Sequence, residues 1–279
     1  MSILSIIGCK MLEDEIVNIL KQDVNIDRII VLNNGEHSDI TSKLQSEDIK
    51  PEVLSETELE IDHDQDFESS GFTIIVVVQS KDLHSNLKNL KQETQKTIDK
   101  ISMFSDGILL FYGYCGEAFV DIEDISKDAD CTVRILKDEN PHNEDFEIKD
   151  CIALALGGNE NYRKTLKEYP DALFFTPMWS NHWDVLLGSR EKMSKISKSE
   201  KSFFKKVGIN RLVKIDTGLF YESGFQENVD EFADMFGLEI VNVSGTNRIS
   251  ENCYWKVKDE LINRVTINCS SEIGYEIWD

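Results

Sequence analysis

The chain has 279 residues, 41% of them hydrophobic, and its 52 acidic against 30 basic side chains give a net charge of −22. That charge argues against nucleic acid and anionic membrane as partners, since both need clustered Lys and Arg, while the apolar share suffices for one large α/β domain or two smaller lobes. No apolar run reaches the roughly 18 residues of a membrane span, and Met1-Ser2-Ile3-Leu4-Ser5 lacks a basic leader, so a cytoplasmic protein is predicted. There the six cysteines suit metal or thiol chemistry better than disulfides.

Residues 3–8 read as a first strand. Met11, Leu12, Ile16, Ile19 and Leu20 fall near helical spacing, predicting a helix that starts around Cys9. A second strand over residues 27–32 closes at Asn33-Asn34-Gly35. Strand, helix, strand is the signature of a parallel sheet. Residues 46–70 are rich in Glu and Asp and read as an acidic surface excursion. His63 lies between Asp62 and Asp64, but three adjacent side chains cannot converge on one metal. Residues 72–78 are β-branched without alternation, as in a strand covered on both faces.

Residues 82–102 predict one long helix, with Leu83, Leu87, Leu90, Thr94, Ile98 and Ile101 as its packed stripe. Residues 108–112 form an apolar run that ends in Gly113, with Cys115 and Gly116 in the turn that follows. A strand over 131–136 starts at Cys131, away from any carboxyl-end crevice, so that thiol reads as buried filler. After an acidic loop at 138–145, Asp150 is a candidate N-cap that places Cys151 in a first helical turn, where the helix dipole favours thiolate.

Gly157-Gly158-Asn159 breaks that helix, another covers 161–169, and a strand over 172–176 runs into the loop Pro177-Met178-Trp179-Ser180-Asn181-His182-Trp183. Residues 183–207 read as a basic helical region carrying Lys192, Lys195, Lys198, Lys201, Lys205 and Lys206. It is a solvated face or a dock for an acidic partner or a second copy of the chain, which would make a homo-oligomer. A strand over 211–215 ends in Asp216-Thr217-Gly218. Val229, Phe232, Ala233, Met235 and Phe236 mark an amphipathic helix, and 238–243 a further strand. The tail from 252 predicts a short helix and a strand over 264–268. The fold class is therefore α/β: a mostly parallel sheet with helices on both faces, divisible into two Rossmann-like lobes at 1–145 and 146–279 or continuous as one domain.

In such a sheet, ligands sit beyond the carboxyl ends of the strands. Strands ending at Gly8, Gly113, Thr176 and Ile215 should deliver their loops to one crevice, bringing Cys9, Cys115 and Cys151 together. Three thiols can hold zinc with a fourth position open, at sulfur spacings of about 3.5–4 Å. They can also hold an iron–sulfur cluster at wider spacing. His182 or Glu117 could add a fourth ligand. Gly113, Gly116, Trp179 and Asp216 are the candidate cofactor-binding residues at the same strand ends. The opposing reading is three ordinary buried cysteines. Asp216-Thr217-Gly218 occurs once, whereas aspartic-protease chemistry needs two aspartates sharing a proton, so a structural turn is the better reading. Gly113-Tyr114-Cys115-Gly116-Glu117 has the outline of a nucleophile elbow, with His182 misplaced for its base.

Taken as a set, Gly8-Cys9, Gly113-Tyr114-Cys115-Gly116, Asp150-Cys151-Ile152-Ala153-Leu154-Ala155-Leu156-Gly157, Phe175-Thr176-Pro177-Met178-Trp179 and Ile215-Asp216-Thr217-Gly218 resemble an uncharacterised domain-of-unknown-function family of methanogens and anaerobic bacteria, often encoded beside corrinoid-dependent methyltransferases. The family pattern has histidine where this chain has Lys149 and glycine where it has Met178. The resemblance implies retention of the three cysteine positions, a metal-thiolate role in methyl metabolism, and a corrinoid protein or methyltransferase as partner. A binding module that docks such a partner is the alternative.

Overall fold

The structure is a computed structural model that describes residues 2–64, 71–116, 118–122, 126–138, 147–183, 203–221 and 223–271. It is an α/β protein with two parallel sheets. The first sheet has six strands in the order β3-β2-β4-β1-β5-β6: β1 Ser2–Cys9, β2 Arg28–Leu32, β3 Glu52–Leu54, β4 Phe72–Gln79, β5 Gly107–Phe111 and β6 Thr132–Ile135. The second has three, β7 Ala172–Phe175, β8 Arg211–Asp216 and β9 Glu239–Ser244, in chain order. Every strand pair is parallel.

β1 and β4 are buried along their whole length, as the continuous β-branched run of β4 demands of a strand covered on both faces. One face packs α1 (Glu13–Gln22), α2 (His37–Ser46) and the C-terminal helix through Ile16, Ile19, Leu44, Tyr254 and Leu261. The other packs α3 (Glu56–Asp64) and α4 (Leu87–Ile101) through Leu59, Leu90, Ile98 and Ile101. The chain leaving β1 passes β4 on its way to β2, and the chain leaving β4 passes β1 on its way to β5. Connections that depart in opposite directions open a crevice at the strands' carboxyl ends.

Around the second sheet stand α5 (Cys151–Ala155), α6 (Asn159–Glu168), α7 (Pro177–Asn181), α8 (Phe203–Lys206) and α9 (Phe225–Phe236). Phe232 is the centre of its core, ringed by Phe175, Trp183, Phe204 and Phe236. The last helix, α10 (Arg248–Ser271), returns to the first sheet. Its buried Lys258 and Tyr254 both bond the Asp23 carboxylate at the end of α1. Among the described residues, no helix is long and apolar enough to cross a membrane.

Several elements differ from the sequence reading. Residues 264–268 belong to α10, not to a strand; their β-branched residues yield to continuation of an anchored helix. The acidic stretch is β3 and α3, opened by a capping box in which Ser55 N–H donates to Glu58 and Glu58 N–H to Ser55 Oγ. The predicted helix over 82–102 is split: Ser80 caps a 3-10 turn at Lys81–Ser85, and Asn86 caps α4. The loop after β7 is the short helix α7, capped by Thr176 with proline in its first turn. Cys9 is the last residue of β1, and a 3-10 turn at Lys10–Leu12 precedes α1. Of the basic region, residues 184–202 lie outside the described residues, so Lys192, Lys195, Lys198 and Lys201 are not placed.

Candidate thiol site

Cys9 ends the central strand, in register with Gln79 of β4. Its sulfur accepts the Met11 N–H at 3.3 Å, capping the 3-10 turn. His84 Nε2 lies 3.8 Å away. Behind them, the Gln79 side-chain carbonyl accepts from Thr94 and Tyr112 hydroxyls, both at 2.8 Å. His84 stacks on the Tyr112 ring. This wall is buried and hydrogen-bonded, so it holds the Cys9 and His84 side chains in place.

Cys115 reaches the site because of Gly113. A Cβ on Gly113 would stand 2.8 Å from both the Asp150 Cα and the Ile148 carbonyl oxygen. With no side chain there, the two segments zip together: Tyr114 N–H donates to Ile148 at 2.7 Å and Cys115 N–H to Lys149 at 2.8 Å. The turn twists Cys115 to φ 44°, left-handed backbone that a non-glycine residue adopts only at a cost. Gly116 follows at φ 63°.

The same zipping delivers Cys151. Asp150 caps α5 by accepting from Ala153 N–H at 2.8 Å, as its sequence position predicts. Trp179 of α7 donates its indole N–H to the Cys151 sulfur at 3.2 Å. One residue earlier, the Met178 sulfur meets Lys43 Nζ at 3.2 Å. Thus loops beyond β1, β5 and β7 meet in one crevice. Asp216, at the end of β8, is exposed and accepts its own turn's Gly218 N–H at 2.9 Å. The loop after it approaches α1 instead, where Tyr221 faces Asn18.

The three thiols share one electrostatic environment. Burial pushes Cys9 well above the usual thiol range, and the neighbouring Cys151 and Cys115 push it further. Burial, then Cys151 and Asp150, likewise raise Cys115. Burial and Asp150 push Cys151 up to about 12, against the opposing indole hydrogen bond. The dipole of a five-residue helix does not make Cys151 a thiolate: desolvation outweighs it. Among the described residues, no group of three or more His, Cys, Asp or Glu side chains could hold a metal ion as placed. The single-ion spacing expected for zinc is therefore not preformed. The donor chemistry, three soft sulfurs with an imidazole beside one, still suits a soft or borderline metal. Glu117 lies outside the described residues, and His182 stands in the field of Asp39.

Sequence reading missed two parts of the site. One is His84, hidden in a stretch that reads as continuous helix. The other is a buried ionic cluster next to the thiols. Glu13, Asp14 and Glu15 open α1 and are all buried. Lys43 Nζ bonds Glu13 at 3.1 Å and Asp14 at 2.9 Å. Lys10 bonds Glu13 at 3.1 Å and Asp39 at 2.7 Å. Burial lowers the Lys10 pKa, but these carboxylates more than compensate. Three successive acids ordinarily signal a solvated helix start; Lys10 is a local partner three residues before Glu13, but nothing local shows that Lys43 covers them as well.

One carboxyl oxygen of Glu15 is buried without a hydrogen-bond partner. Burial and the Asp14 charge raise its carboxyl to about 8, while Lys43 pulls the other way. The same carboxyl lies in the field of Cys151. A carboxyl raised on folding leaves stability intact below its unfolded value and costs stability as pH climbs toward the folded one. Glu15→Gln should therefore stabilise the protein above pH ~8 by several kcal/mol and have little effect near pH ~4.5. Urea unfolding of both proteins across that range checks this; parallel curves would show that Glu15 does not titrate.

Fold and site define a two-sheet parallel α/β protein whose carboxyl-end crevice is lined with protonated thiols. The chain belongs to the family described as "Protein of unknown function (DUF1638)", whose model matches residues 78–254. That segment contains His84, Cys115, Cys151, Trp179 and Asp216, and leaves Cys9 and the ionic cluster outside it. No curated protein and no solved structure matches the chain.

Proposed function

We propose that this chain is a cytoplasmic metal-thiolate protein that acts in or assists corrinoid-dependent methyl transfer in an anaerobe. The methyl-transfer context follows from the motif resemblance. The metal-thiolate reading is supported by one observation above all: Cys9 and Cys115, distant in the chain, lie in one buried cluster against which the half-buried Cys151 packs, and Cys151 raises the pKa of both. The positive charge of a bound cation would offset the repulsion among thiolates and so favour their deprotonation. Zinc would supply Lewis-acid activation of a thiol acceptor, and an iron–sulfur cluster would supply electrons toward a corrinoid on the partner.

The chain's own residues have definite tasks in this reading. Gly113 sets the approach of Cys115 to Cys151. Trp179 orients the Cys151 sulfur and keeps water from it. His84 stands beside Cys9 as a candidate fourth donor in place of Glu117 or His182. The charge of −22 favours a second reading, a binding module that docks a corrinoid protein or methyltransferase through complementary charge. Elemental analysis of anaerobically purified protein separates the two. A metal present in stoichiometric amount and lost in Cys115→Ser supports the thiolate centre. No metal in either protein leaves the docking module.

A further inference from the structure

Lys43 of α2 is buried, and its ammonium meets acceptors on two other helices. It donates to Glu13 at 3.1 Å and Asp14 at 2.9 Å on α1, and to the Met178 sulfur at 3.2 Å on α7. The helices it joins belong to different cores. α1 and α2 pack on the first sheet, whereas Phe175 and Trp183, on either side of α7, lie in the core of the second. Met178 crosses over: it is buried in the same apolar cluster as Cys9 and Cys115. Trp179, the next residue, packs against both clusters and gives its indole N–H to Cys151 at 3.2 Å. At the other end of α7, Asn181 accepts from Asn228 of α9, on the side of the second sheet. A helix of five residues has little stability of its own, so what it is tied to decides where it sits.

We propose that Lys43 is a positioning residue of the thiol site: by tying Met178 to the carboxylates of α1, it holds α7 where Trp179 covers and hydrogen-bonds Cys151. A thioether is a weak acceptor and would not orient a free lysine. Here the two buried carboxylates fix the ammonium first, and a donor held in a low-dielectric site binds its remaining partner more strongly than in water. The order of support is therefore Glu13 and Asp14 on Lys43, Lys43 on Met178, and α7 on the indole. This gives the buried ionic cluster a task beyond stability. The inference rests on the thiols being the working site of the chain, and is independent of which metal they hold.

The test follows alkylation of each cysteine by iodoacetamide in the full, chelator-treated chain at one pH, read peptide by peptide by mass spectrometry. Trp179→Ala sets the rate of an uncovered Cys151, expected to be about tenfold above wild type. Lys43→Met should approach that rate. Met178→Leu keeps the volume and the lysine charge but removes the sulfur acceptor, and should raise the Cys151 rate about threefold. Cys131 precedes β6 at the opposite end of the first sheet and should react at the wild-type rate throughout. It is the readout that a merely structural role would move, because general loosening exposes both thiols together. Should Lys43→Met not stay folded, Met178→Leu decides alone. A wild-type Cys151 rate in Met178→Leu, a rise matched at Cys131, or a Trp179→Ala protein whose Cys151 is no faster would overturn the proposal. A wild type that binds no metal would sink the metal-thiolate reading and leave these rates as they are.

Discussion

Gly113→Ala is expected to destabilise the protein by about 1–3 kcal/mol and to separate Cys115 from Cys151. The three nearest atoms to the new Cβ are all backbone of Ile148 and Asp150, at 2.8–2.9 Å. Backbone cannot swing aside as a side-chain tip can, so one of the two segments must retreat. The hydrogen bonds from Tyr114 and Cys115 N–H to that segment would be strained or broken with it. Gly35→Ala is the control. Gly35 is also left-handed, at φ 92°, but has nothing within 4 Å of the new Cβ. It should cost only its backbone term, roughly 1–2 kcal/mol, and leave the site whole. Urea unfolding gives the stabilities. A Gly113→Ala protein as stable as wild type would show that the 113–115 and 148–150 segments are not zipped together.

Lys43→Met carries the second large effect. The lysine is buried and bonds two carboxylates that are themselves buried. Removing one partner from a buried ionic cluster leaves its charges uncompensated and costs about 3–5 kcal/mol. Exposed pairs such as Lys96 with Glu93 contribute at most about 1 kcal/mol. Burial already raises Glu13, and Lys43 and Lys10 only partly offset it. Without Lys43, protonation of the already raised Glu13 eases the cluster, so the loss should be smaller at low pH and larger at neutral pH. A uniform loss across pH would mean that Lys43 acts by packing on Met178 rather than by charge.

Much of the architecture was legible because it rests on local pattern. The uninterrupted Phe72-Thr73-Ile74-Ile75-Val76-Val77-Val78 run can only be a strand covered on both faces, and it is one of the two central strands of an all-parallel sheet. The Asp150 cap and the glycines around Cys115 were readable for the same reason. Other features were settled by distant contacts. The C-terminal strand became helix because Tyr254, Val257 and Leu261 bury against the first sheet. Glu13 and Asp14 are buried because Lys43 meets both, a pairing across some thirty positions that no periodicity reports. His84 reaches Cys9 only because Ser80 and Asn86 cut the predicted helix in two. The rise in the thiol pKa values likewise reflects burial, which outweighs the helix start that sequence places at Cys151.

The central claim is that Cys9, Cys115 and Cys151 act as one centre. It is tested most directly by metal and sulfide analysis of protein purified without oxygen, alongside the single cysteine-to-serine variants. Stoichiometric zinc, or iron with acid-labile sulfide, should be present in the wild type and in Cys131→Ser. It should be lost from Cys9→Ser, Cys115→Ser and Cys151→Ser while circular-dichroism melting shows each variant folded. A wild type that takes up neither zinc nor iron and sulfide on reconstitution, or three variants that hold metal as well as the wild type, would contradict it.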